Sequence, residues 1–62
     1  MLMTLQYIIT NPNETDEQGN TLCWSNKDGW VSKDTADRFT KDDTDTLDLP
    51  AGGIWDYTMV LD

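Results

Sequence analysis

The sequence predicts a small α+β domain: a four-stranded, mainly antiparallel sheet with one short helical segment, in the order β-β-β-α-β. Three observations carry this reading. Apolar residues alternate near both ends of the chain, two tryptophans flank a tight-turn signature in the middle, and a helix-start pattern lies between that turn and the last alternating run.

In residues 2–10, Met3, Leu5, Tyr7 and Ile9 fall on one face and Gln6 and Thr10 on the other, the pattern of a half-buried strand. Residues 11–20 hold no apolar side chain except Pro12 and are rich in turn formers, so a mobile loop is expected there. The second strand begins at Thr21. In Trp24-Ser25-Asn26-Lys27-Asp28-Gly29-Trp30, Asn26 suits the first turn position, Lys27 and Asp28 the centre, and Gly29 the left-handed position that follows. This is the signature of a type I turn with a glycine bulge. It predicts that Thr21-Leu22-Cys23-Trp24 pairs with Trp30-Val31-Ser32, with the two indole rings close across the ladder.

After Val31 the apolar period becomes helical. Asp34 is placed to cap a short turn carrying Ala36 and Phe39, and Thr40-Lys41-Asp42-Asp43 has the form of a capping box with Asp in place of Glu, leading to Leu47. Two short helical turns or one bent helix are expected, stopped by Leu49-Pro50-Ala51-Gly52-Gly53. In residues 54–61, Trp55, Tyr57, Met59 and Leu61 alternate with Ile54, Asp56, Thr58 and Val60, so a last strand should lie beside the first. The expected core is Leu5, Tyr7, Ile9, Leu22, Trp24, Trp30, Phe39, Leu47, Trp55, Tyr57 and Met59. One short helix covers one face only, which leaves Ile8, Ile54 and Val60 as a candidate apolar patch for a dimer or another partner.

A chain of 62 residues is expected to be one domain, and a body of that size buries only about 60% of the surface its unfolded form exposes. The single cysteine, Cys23, excludes an intrachain disulfide and is expected as a small core residue, while the lack of histidine removes the commonest metal ligand and general base. Met1-Leu2-Met3 has no basic flank and is followed by Thr4 and Gln6, so neither a signal peptide nor a membrane span is expected, and the cytoplasm is the expected setting. Without a secretory signal the glycosylation-type triplet Asn13-Glu14-Thr15 carries no weight.

Twelve acidic residues against four basic ones give a net charge of −8. Such a field repels nucleic acid and anionic membranes and speeds the capture of basic surfaces. Solubility and high-salt adaptation are the competing accounts of the same charge. Asp34, Asp37, Asp42, Asp43, Asp45 and Asp48 gather around the helical segment and form the candidate partner-binding strip. The chemical motifs fail one by one. Asn26-Lys27-Asp28-Gly29 is similar to part of a calcium loop, but Trp24 and Thr35 stand where the first and last acidic ligands belong. Asp45 and Asp48 lie three apart on the expected helix with Asp42 pointing elsewhere, so no metal site is expected. Paired carboxylates need a concave, partly apolar pocket that so short a chain hardly encloses, so neither catalysis nor a cofactor is expected.

The pattern Trp24-Ser25-Asn26-x-x-Gly29-Trp30-Val31, then Ala36-x-x-Phe39-Thr40, then Leu49-Pro50-x-Gly52-Gly53-x-Trp55 resembles short acidic proteins encoded by phages and prophages. It spans about half the chain and consists of turn, packing and capping residues. The resemblance implies a host-directed inhibitor, anti-CRISPR-like or a nucleic-acid mimic, that occupies a basic site on a nucleic-acid-handling or defence protein. The alternative reading is a structural or assembly protein that homodimerises through a sheet face or edge.

Overall fold

A computed structural model describes residues 2–61. Four strands and one helix follow in order: β1 (Met3–Thr15), β2 (Thr21–Ser25), β3 (Gly29–Val31), α1 (Lys41–Thr46) and β4 (Ile54–Leu61). They form one antiparallel sheet ordered β3-β2-β1-β4, so the α+β architecture is the expected one, with the last strand beside the first.

β1 is longer than its apolar pattern suggests. The segment expected as a loop from residue 11 continues the strand to Thr15, where the ladder with β2 resumes at Thr15↔Thr21 beyond an irregularity between Asn11 and Thr15. Pro12, which has no N–H to donate, falls inside that irregularity, where no ladder bond is required. The polar composition did not reveal the path of the backbone, nor that Asn11 is buried, 5% exposed, with its Oδ1 accepting the Asn13 N–H at 3.0 Å. The reversal itself is confined to residues 16–20, where the Asp16 carboxylate accepts the N–H groups of Gln18 and Asn20, each at 2.9 Å.

The hairpin forms as its turn residues dictate. Gly29 takes φ +82°, a left-handed angle at which a side chain is strained, and sets Trp24 directly opposite Trp30. The rings meet edge to face, with centroids 5.1 Å apart and planes at 68°. Contacts of this geometry contribute about 0.5–1.5 kcal/mol beyond the area they bury. Asn26 Oδ1 accepts the Trp24 indole N–H at 2.9 Å and so ties one ring to the turn.

The helical turn expected around Ala36 and Phe39 does not form. Phe39 instead makes an antiparallel bridge to Tyr7, exchanging backbone bonds of 3.0 and 2.8 Å, while the Asp37 N–H donates to the Trp24 carbonyl at 3.1 Å. The backbone groups of Tyr7 lie beyond the reach of the short β2 and need partners once covered, and residues 37–39 supply them. The capping box is present as expected: Thr40 Oγ1 accepts the Asp43 N–H at 3.3 Å and the Asp43 carboxylate accepts the Thr40 N–H at 2.9 Å.

Register divides the side chains between two faces. Ile9 pairs with Trp55 and Tyr7 with Tyr57 on one face; Ile8 pairs with Asp56 on the other, which Thr10 shares with its partner Cys23. Both faces are buried at the centre of β1, since Ile9 is 0% and Ile8 3% exposed. On the Ile9 face, Phe39 stacks edge to face on Trp55 at 5.5 Å, and Gly53 comes so close that a Cβ there would lie 2.8 Å from Ile9 Cγ2. The Ile8 face also carries Cys23, which is 2% exposed, and from β3 the chain passes into a loop over residues 32–38. Arg38 Nη1 closes this loop by donating to the carbonyls of Lys33 at 3.0 Å and Ala36 at 3.3 Å.

The expected core is therefore corrected at both ends. Ile8, expected at the surface, is buried, whereas Leu5, Tyr57 and Met59, expected inside, are exposed. A six-residue helix is about 9 Å long, and the eight residues of β4 extend about 26 Å. The helix has no buried residue and is far shorter than β4, so the Ile9 face is closed where Phe39, Trp55 and Gly53 meet Ile9 and stays open at the end carrying Leu5 and Met59.

Candidate interaction surface

The six acidic residues of the expected strip do different work. The Asp43 carboxylate is committed to the helix cap. The Asp37 carboxylate accepts the Asn26 N–H at 2.7 Å and fastens the hairpin turn to the returning loop. Asp34, Asp42, Asp45 and Asp48 are exposed. Asp42 and Asp45 lie three apart on α1 and share its outward side, and Asp48 falls beyond the helix end. This reverses the expectation that Asp45 and Asp48 share a helical face, because the helix stops at Thr46. Among the described residues no group of three or more acids, cysteines or histidines is arranged to hold a metal ion.

The apolar patch expected at Ile8, Ile54 and Val60 is not assembled. Register puts all three on one face, but buried Ile8 separates half-exposed Ile54 from half-buried Val60, with Asp56 and Thr58 between them along β4. A contiguous set of exposed apolar side chains lies on the opposite face. Met3↔Leu61 and Leu5↔Met59 pair there beside Tyr57, and these five side chains are 45–63% exposed. The alternation of residues 3–9 and 55–61 already marked this face as apolar. The missing signal was coverage, since the helix-start pattern could be weighed against strand length before the face was assigned to the core.

Among the described residues, two of the depressions on the surface stand out. One, lined by Asp16, Asn20, Thr21, Ser32, Lys33 and Asp34, is about 310 Å³ and polar. The other lies where Leu5 and Tyr7 meet Arg38, Thr40 and Lys41, beside the bridge to Phe39. The Cys23 thiol is 2% exposed, and burial pushes it above its usual value, so at neutral pH it stays protonated. Asp16 is shifted the other way: the Asn20 backbone N–H, with further bonds from the Asn20 side chain and the N–H groups of Gln18 and Gly19, holds its carboxyl below 3.8.

No family model matches the chain, and neither the curated proteins nor the solved structures yielded a match. Among the described residues no helix is long and apolar enough to cross a membrane. The fold and the placement of its charges are the grounds on which a function can be argued.

Proposed function

We propose that the chain is a non-catalytic interaction module that captures a basic protein partner through its exposed carboxylates. One observation supports this above the others: Asp42 and Asp45 stand together on the outward side of α1, Asp48 follows, and among the described residues none of the three carboxylates accepts a hydrogen bond. In a body of net charge −8, such a strip raises the rate of encounter with a lysine- or arginine-rich groove. A groove of that kind on a nucleic-acid-handling or defence protein is the partner chemistry that fits, and occupying it would inhibit the partner by displacing nucleic acid. The resemblance to acidic phage proteins is consistent with a role in the host cytoplasm, by likeness of class alone.

The test is a host-lysate pull-down read by mass spectrometry at low and high salt, with Asp42→Asn, Asp45→Asn and Asp48→Asn combined as the control. Asp43 is left intact because it caps the helix. A basic protein retained at low salt, released at high salt and lost in the triple variant supports the proposal. Recovery of nothing, or of a partner indifferent to both salt and the substitutions, overturns it.

A further inference from the structure

We infer that the exposed apolar end of the sheet is a self-association surface, on which a second copy of this chain packs face to face about a two-fold axis. The surface is the ribbon of β1 and β4 carrying Met3, Leu5, Tyr57, Met59 and Leu61, exposed by 55%, 45%, 63%, 48% and 62%. Large apolar side chains present on the order of 200 Å² each, so these fractions leave about 500 Å² of apolar surface per copy. That is the size of the largest patch found on most soluble monomers. Joining two copies covers on the order of 1,000 Å², the lower bound for a specific interface.

Charge placement selects a second copy as the occupant. Residues 2–7 and 57–61 contain no charged side chain, although the chain carries sixteen. Two copies of net charge −8 repel wherever their acidic surfaces approach, and this ribbon is the stretch on which they meet without opposing carboxylates. A basic partner finds nothing on the ribbon itself to pair with.

The geometry also selects the face over the edge. Tyr7 turns its N–H and carbonyl toward Phe39, away from β4, so its partner Tyr57 turns its own N–H outward at the free edge of the sheet. The Asp56 carboxylate accepts that N–H at 2.8 Å. A strand adding at this edge would have to displace the carboxylate and seat beside a charge, a device that protects edges from pairing. Face packing leaves the plug in place.

This inference is independent of the proposed acidic site, and salt separates the two: screening weakens capture of a basic partner but strengthens association of two acidic copies. Analytical ultracentrifugation of the wild-type chain, from low micromolar to near-millimolar concentration, should show mass rising from 7.1 kDa toward twice that value, with tighter association at high salt. Met59→Glu and, separately, Leu5→Lys should remain monomeric at every concentration, with unchanged near-ultraviolet circular dichroism from Trp24, Trp30 and Trp55. Asp56→Asn should dimerise like the wild type. A wild-type monomer at near-millimolar concentration in high salt overturns the inference. So does a dimer that survives both folded face variants, or one that tightens at least tenfold when Asp56 is neutralised, which would assign the interface to the edge.

Discussion

Gly53 shows how one missing atom organises the core. Its φ is unremarkable, so the requirement is steric: a Cβ would lie 2.8 Å from Ile9 Cγ2 and 3.1 Å from the Pro50 carbonyl oxygen. Ile9 is wholly buried and Pro50 contributes backbone, so neither gives way cheaply. Gly53→Ala is expected to destabilise the fold by about 2 kcal/mol, the usual scale of core overpacking, as a lowered urea midpoint at unchanged slope. An equal midpoint would mean that the turn over Ile9 is free to shift. The sequence showed Gly53 as a helix stop and turn residue, and its close approach to a side chain far along the chain had no local signature. Ile8 was illegible for the same reason. Alternation assigned it to the side opposite Ile9, which is right, but gave no sign that this side is buried as well at the centre of β1.

Among the elements, those read from local chemistry were legible and those set by distant partners were not. The hairpin and the cap rest on bonds within a few residues of one another, and both formed where Gly29, Thr40 and Asp43 placed them. The strand character of Phe39 depends on Tyr7, and the length of β1 on pairing between Thr15 and Thr21, neither of which a local window contains. The cap predicts its own test. Thr40→Ala should cost about 1 kcal/mol in thermal or chemical denaturation, and adding Asp43→Ala should cost less than the sum of the two, because the bonds are reciprocal. The 16–20 turn responds to acid. Because the Asp16 carboxyl is held below its usual value in the folded chain, its contribution is present above the ordinary aspartate range and lost progressively as pH falls through that range to the lower native value. The amide resonances of Gln18 and Asn20 should follow that titration, and Asp16→Asn should abolish it. Amides that stay unmoved in the wild type at the lowest pH at which it remains folded would show that the carboxylate does not hold the turn.

For the molecule as a whole, charge and coverage are out of balance. A net charge of −8 on 62 residues repels itself in the compact state. Added neutral salt should therefore raise the melting temperature, by roughly 4–8 °C if screening recovers about 1 kcal/mol. A flat or falling dependence would show that the carboxylates are already spaced widely enough. The acidic character of the candidate site was legible from composition, but which carboxylates are free was not, since Asp37 and Asp43 are withdrawn by bonds visible only in the fold. The β1–β4 ladder, finally, has a consequence in time. It joins Thr10 to Ile54 and Met3 to Leu61, partners separated by most of the chain, whereas the tryptophan hairpin joins near neighbours. Closing the hairpin is a microsecond event, but the terminal ladder must wait for a long loop to close. Strand β1 is thus expected to gain β4 after β2, and stopped-flow refolding followed by tryptophan fluorescence should show a main phase slower than hairpin closure.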